Sequence, residues 1–414
     1  MKKKFNSDFI FLIGIFLLPF ENFIFAPSAG WATITPIIFA IYIVFNFKFF
    51  SLKKLKEQTK KTKSLVCVFA AILVFNFLAY LSVGIDIRNV INAMVSIGLG
   101  FVNFISMFIY YEKNKNLNKI IKIIIISYEI TLIIGIIEFL TIKFNITALY
   151  DFFSFIFKRN YMRNKRVQFF FTEPSFIGMH LFGILLPLYL LSKNKRILGL
   201  IITYIIASLV FNSGIRIIID IIVVGLILMI YKLITKRKFI ILLSIPIILI
   251  LALIIGYNTN DRIRKIVDNG VYADGSLASR YFRIQSSTYG YIRDFPQVLI
   301  GYGVGNSLIP LRSGYEQAIS KYKSSYVREM EELANPEFND DSVSYCLYIR
   351  FISEFGLLFF ALFMYYLIKI TKYSSFEYKW PYFIINLYIY LQFESYAFYA
   401  IWLYILVMYY TKKT

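Results

Sequence analysis

The chain predicts an all-α, polytopic membrane protein of about 12 transmembrane helices, on three observations. Of its 414 residues 58% are hydrophobic, with a mean hydropathy of +0.65, where a soluble globule carries about 45–50% apolar residues. Charged residues make up 17%, against about 25% in an ordinary soluble domain. The apolar residues also come in runs of about 20 rather than at helical or strand periods. That surplus cannot be hidden in one core. The net charge of +21 would suggest nucleic acid in a soluble protein. In a membrane protein it is first explained by the Lys and Arg that collect in cytoplasmic loops, so no nucleic-acid partner is expected.

Taken in order, the first apolar run, Phe9 to Phe20, follows Met1-Lys2-Lys3-Lys4. Ala26-Pro27-Ser28-Ala29 is similar to a signal-peptidase site, but many apolar runs follow, so 9–26 reads as an uncleaved first span. Further spans are expected at 32–50, 65–84, 90–110, 120–141, 173–191, 197–213, 215–234, 239–256, 343–368, 381–392 and 397–410.

The even-numbered connections carry the lysine clusters: Lys53 to Lys63, Lys113 to Lys119, Lys193 to Arg196, Lys232 to Lys238, and Lys369 to Lys379. They are expected to face the cytoplasm, as are Lys2 to Lys4 and Lys412-Lys413, which puts both termini inside and makes the number of spans even. The outer connections are short except for 142–172 and a loop of about 85 residues, Tyr257 to Asp341. A loop that long is usually functional. This divides the chain into spans 1–9 over 1–256, the large extracytoplasmic loop over 257–341, and spans 10–12 over 342–414. Within the loop, Ser313 to Leu333 reads as a helix with Tyr315, Tyr322 and Tyr326 at helical intervals.

The basic residues divide by side. Thirteen of the fifteen arginines lie at or outside the outer boundary in this topology, and only Arg196 and Arg237 lie inside. A rule based on charge alone predicts no such split. Arginine offers a planar fork that grips phosphate through two hydrogen bonds, so the outer face reads as built to hold a phosphate or diphosphate. Pairing with acids of the same loop is the competing reading for any one of these arginines. It is weaker for Arg216, which opens a span where charge is costly, although Asp220 one turn later is a possible partner.

The segment Thr172-Glu173-Pro174-Ser175 opens the sixth span. Thr172 or Glu173 can cap the helix. Alternatively, Glu173 beside Arg159, Arg163 and Arg166 can take a proton from an acceptor hydroxyl. His180, two turns deeper, reads more readily as a polar group in a helix interface than as a catalyst. Glu129, Glu138, Glu354 and Glu394 fall within or beside apolar runs, where cost alone argues for a paired or functional role. With one histidine, and two cysteines far apart at Cys67 and Cys346, no metal site, disulfide framework or cofactor is expected.

These motifs stand in a particular order: Glu173-Pro174-Ser175, Ser213-Gly214-Ile215-Arg216, Ser279-Arg280, Gly301-Tyr302-Gly303-Val304-Gly305-Asn306, and Ser353-Glu354-Phe355-Gly356-Leu357-Leu358. Over roughly residues 120–370 the order resembles the O-antigen polymerase and ligase superfamily, most closely the Wzy-type oligosaccharide repeat-unit polymerases of capsule, O-antigen and exopolysaccharide synthesis. The resemblance implies a metal-independent glycosyltransferase of the cytoplasmic (inner) membrane. It would move a growing glycan from polyprenyl diphosphate to a sugar hydroxyl of a lipid-linked repeat unit at the outer face. Its partners would be that lipid-linked oligosaccharide and the bilayer, with room for a chain-length regulator.

Carried onto this chain, the resemblance implies Arg216 and Arg280 as diphosphate ligands, with Arg283 and Arg166 nearby. Glu173, Asp340 and Asp341 are candidates for the base, and Tyr315 and Tyr322 for packing against sugar rings. The ligase branch, which delivers glycan to lipid A core or protein, carries a histidine before the span that closes the loop. Here that segment is Asn339-Asp340-Asp341-Ser342, which favours the polymerase branch. A flippase of the same lipid-linked sugars would have short loops and a central cationic cavity instead.

Overall fold

In the computed structural model the chain is described over residues 7–24, 33–50, 72, 74–115, 117–211, 213, 215–235, 257–258, 261–321, 330 and 346–411. These residues are mostly helical, with no strand among them and one isolated antiparallel bridge between Phe23 and Phe157. Five helices are long and apolar enough to cross a membrane. They are α4 (Ile87–Asn114), α5 (Asn118–Phe144), α7 (Pro174–Ser192), α9 (from Ile215–Thr235) and α15 (Leu347–Tyr373), and each coincides with an expected span.

Five other expected spans appear as shorter helices: α1 (Asp8–Phe16), α2 (Thr35–Phe45), α3 (Val74–Val83), α16 (Lys379–Tyr390) and α17 (Tyr399–Tyr410). The span expected at 197–213 is α8 (Lys195–Val210). The span expected at 239–256 lies outside the described residues. A short helix not expected from the sequence, α6 (Thr147–Ile156), occupies the connection 142–172.

Local chemistry sets several helix ends. The Asp86 side chain accepts from the N–H groups of Arg88 (3.1 Å) and Asn89 (3.3 Å) to start α4, and Asn194 accepts from Arg196 (2.9 Å) to start α8. Within α7 a π turn spans Leu181–Leu185, just before Pro187. Pro187 has no N–H to give to residue 183, and its ring would crowd that carbonyl, so the helix widens there. Of the most apolar stretch of α7, 72% is buried, against 17% for α9, so α7 is a central helix surrounded by the others.

The lysine-bearing turns gather at one end. Lys113 at the end of α4 pairs with Asp8 at the start of α1 (2.7 Å), and Tyr111 packs on Tyr410 at the end of α17 (4.0 Å). Ser374 after α15 bonds Thr411 (2.6 Å), and Lys193 lies over the Tyr378 ring (4.2 Å). Tyr231 in the last turns of α9 donates to the Glu377 carbonyl (2.5 Å). The start of the first helix and the end of the last therefore meet at the same end of the bundle.

The large loop has its own small core of Ala278, Phe282, Leu308, Leu311, Ala318 and Met330. Its main helix is α11 (Gly275–Arg293), preceded by α10 (Asp261–Asn269) and followed by α12 (Phe295–Ile300), α13 (Leu308–Ser313) and α14 (Tyr315–Ser320). Asp274 caps α11 by accepting from Leu277 N–H (3.0 Å). The helix expected from Ser313 to Leu333 is interrupted at Gly314, whose Cα lies against the Ser286 carbonyl and the Gly290 nitrogen of α11. A continuous helix with a Cβ at 314 could not approach so closely. Residues 322–329 of that expected helix, with Tyr322 and Tyr326, lie outside the described residues.

The loop docks on the bundle through backbone. α15 is broken at Gly356 (φ 85°, ψ 164°), which leaves the carbonyls of Ser353 and Glu354 without their helical partners. Tyr302 N–H (2.7 Å) and Gly303 N–H (3.2 Å) of the loop satisfy them. Gly301, Gly303 and Gly305 also have positive φ (87°, 93°, 86°), and Cβ atoms at 301 and 356 would each meet the other strand's backbone at 2.5–2.7 Å. Tyr80 donates to the Val304 carbonyl (2.9 Å), and Asn76 accepts from Val304 N–H (2.8 Å). Gly301→Ala or Gly356→Ala should therefore destabilise the protein by about 1–3 kcal/mol or more. We expect a clear drop in the thermal transition of the purified protein, whereas Gly98→Ala, at a helical glycine with open space around it, should leave it unchanged or raise it.

Candidate active site at the arginine-bearing end

Docking the loop brings Arg280, in the second turn of α11, within electrostatic reach of Arg216 at the start of α9. The two guanidinium groups repel electrostatically, while Asp220, Tyr388 and Glu173 act on Arg216 in the opposite sense. Arg216 has few firm bonds: one Nη reaches the Gln392 carbonyl at 3.5 Å and Met179 Sδ at 3.9 Å, and its buried Nε has no hydrogen-bond partner. A half-buried guanidinium with unused donors beside a second cation is suited to receive an anion.

Asp220 does not form the direct ion pair with Arg216 that their spacing suggested. Its Oδ1 accepts from Tyr388 O–H (2.6 Å) and Gln392 (3.5 Å), both carried by or just after α16. Its Oδ2 lies where a side chain on Gly178 would be, so this glycine lets a buried carboxylate press against the backbone of α7. Asp220 therefore tempers the field of both arginines without occupying their hydrogen-bonding edges.

Glu173 immediately precedes α7, in extended backbone (φ −146°, ψ 152°), and makes no capping bond with its side chain. The capping reading therefore fails for Glu173, and Thr172 is engaged elsewhere, with Glu21. The Glu173 carboxylate instead pairs with Arg159 (2.9 Å) and accepts from Ser175 O–H (3.0 Å). Tyr161 stands beside this pair. Burial, and then the charge of Glu173, hold its phenol above the usual range, so it remains an O–H donor at neutral pH. Arg166 donates to the Ser213 carbonyl (3.1 Å), tying the 157–172 segment to the head of α9.

The other expected residues fall in different places. Arg283, one turn beyond Arg280, is 1% exposed. Tyr315 is half-buried with its ring edge-on to Phe282 (5.5 Å, 83°), so part of it serves the loop core. Asp340, Asp341 and Tyr322 lie outside the described residues.

Two of the intramembrane carboxylates act as anchors. Glu138 accepts from Gln168 N–H (2.9 Å), just before Phe169 and Phe170, both at positive φ. Glu354 accepts from Arg350 (3.1 Å) and Tyr396 (2.7 Å), under the loop junction. His180 is a buried interface group between Tyr128 O–H (2.7 Å) and Glu21. The sequence reading missed Glu21 and Asn22, although a carboxylate at the end of an apolar run is the same signal that drew attention to Glu138. Comparison with protein-family models, curated proteins and solved structures gives no match.

Asp220→Asn keeps an acceptor for Tyr388 and removes one negative charge from the neighbourhood of both arginines. Pyrophosphate binding to the purified protein should tighten by on the order of 1 kcal/mol, several-fold in affinity. Calorimetry showing unchanged or weaker binding would mean that the carboxylate does not share the arginines' field.

Proposed function

We propose that this chain is an oligosaccharide repeat-unit polymerase, working at the outer face of the cytoplasmic membrane on glycans carried by polyprenyl diphosphate. The observation that carries this reading is that Arg216, from the head of a span, lies within electrostatic reach of both Arg280, from the large loop, and Glu173. This site lies at the end of the bundle away from the lysine-bearing turns. The order of motifs adds support: the segments Gly301–Asn306 and Ser353–Leu358 of the family resemblance form one backbone junction, and that junction sets the loop above the site.

In this mechanism the acceptor sugar's hydroxyl oxygen attacks C1 of the donor glycan. The new C1–O bond forms as the C1–O bond to the diphosphate breaks, and that electron pair leaves with the diphosphate. Arg216 and Arg280 bind the leaving group more strongly as its charge grows, so they stabilise the transition state more than the ground state. Glu173 takes the acceptor's proton. Arg159 keeps that carboxylate aimed and Ser175 holds its second oxygen, while the phenol of Tyr161 supplies a further donor at the rim. The apolar bundle holds the polyprenyl tails in the same plane as the reacting groups.

Arg216→Ala and Arg280→Ala should each leave the protein inserted and lower chain lengthening by about 10²-fold or more, so that single repeat units accumulate. Normal long-chain glycan in both variants would overturn the diphosphate role. Glu173→Gln should reduce turnover on polyprenyl-diphosphate repeat units by about 10²-fold, and unchanged turnover would exclude it as the base. In a Cys67→Ser, Cys346→Ser background, a cysteine placed at the exposed Ser320 position should react with an impermeant thiol reagent from outside intact cells.

A further inference from the structure

The Glu173–Arg159 pair joins two segments that have no covalent reason to stay in register, and both are held by one dipeptide that follows the first helix. Glu21 is fully buried and Asn22 is 1% exposed. One oxygen of Glu21 accepts from both the N–H (3.2 Å) and the O–H (3.3 Å) of Thr172, the residue before Glu173. Its other oxygen bonds His180 Nε2, and His180 is fixed in turn by Tyr128 through Nδ1.

Asn22 grips the other partner. Its Oδ1 accepts from Arg159 N–H (2.8 Å), and its Nδ2 donates to the Arg159 carbonyl (2.6 Å). Its own carbonyl accepts from Lys158 N–H (3.0 Å), and its N–H donates to the Phe170 carbonyl (3.1 Å). Gln168 reinforces the grip with a second donor to the Arg159 carbonyl (2.9 Å).

We infer that Glu21 and Asn22 are positioning residues for catalysis. Glu21, backed by His180 and Tyr128, sets the backbone that presents Glu173. Asn22 sets the backbone that presents Arg159, and because the two are adjacent they fix the distance between base and guanidinium. Neither touches the reacting atoms. A carboxylate and an amide buried beside apolar helices are costly unless fully bonded. Here every bond of Asn22, and the Glu21 bonds to Thr172, go to the two segments that carry the pair.

This inference rests on the polymerase reading, and the test separates the two. The full chain in nanodiscs is assayed with polyprenyl-diphosphate repeat units, and backbone amide exchange is followed over 157–173. Asn22→Ala should lower kcat about ten-fold with KM nearly unchanged, and should speed exchange at Arg159, whose N–H loses its acceptor. Added to Arg159→Ala, it should cost nothing further, because the side chain it aims is gone.

Asn22→Asp keeps the acceptor for Arg159 N–H but sets an oxygen against the Arg159 carbonyl, and should give an intermediate loss. Glu21→Gln, which can still accept from Thr172 and donate to His180, should retain most of the turnover that Glu21→Ala loses. Losses that simply add in the double variant, or equal loss in Glu21→Gln and Glu21→Ala, would reduce the dipeptide to a role in folding and overturn the inference. If the wild-type chain turns over no lipid-diphosphate glycan, the polymerase reading falls. The clamp is then judged by exchange alone, where an unchanged rate at Arg159 in Asn22→Ala overturns it.

Discussion

Breaking a helix inside an apolar layer frees carbonyls that water cannot reach, and here another stretch of backbone answers them. The break in α15 at Gly356 frees Ser353 and Glu354, and Tyr302 and Gly303 of the loop supply the N–H groups. Gly301 and Gly356, both at positive φ, make the approach close enough. The position of the loop follows from this contact, and so does the meeting of Arg280 with Arg216. Without it the site would be half a site, with one arginine on the bundle and the other on an undocked loop.

The polar groups buried in the scaffold follow a related logic. Glu138 binds the loop amide of Gln168, Glu354 lies between Arg350 and Tyr396, and Glu21 lies between His180 and Thr172. Each carboxylate ties a helix to an irregular segment at its end. In an apolar surrounding such a segment has no water to complete its hydrogen bonds, so a side chain does so, and the segment gains a defined shape. The segment so shaped by Glu138 and Glu21, residues 156–173, carries Arg159, Tyr161, Arg166 and Glu173.

Much of the site could be read one residue at a time. Arg216 stood out because charge at the head of a span is costly, and Glu173 because of its place before Pro174. Arg280 stood out by its place early in the large loop. The loop's main helix, Gly275–Arg293, did not stand out, because it buries small residues such as Ala278 and Ser286 against α13 rather than an apolar stripe. The helix expected at Ser313 to Leu333 followed the spacing of its tyrosines, which says nothing of how closely Gly314 lies to α11. Asn22 was invisible for a different reason. Its partners are 137 residues away in the chain, at Arg159.

The sequence alone determined the membrane class and the positions of the five long apolar helices. Each of these depends on local composition and on the cost of placing charge near hydrocarbon. Only the tertiary structure decided that Asp220 turns to Tyr388 rather than to Arg216, that Glu173 pairs with Arg159 instead of capping its helix, and that a dipeptide after the first helix holds both ends of that pair. These are choices among partners equally available by spacing. They are settled by which backbones can approach, at Gly178, Gly301 and Gly356, and by the need of every buried polar group for a bond.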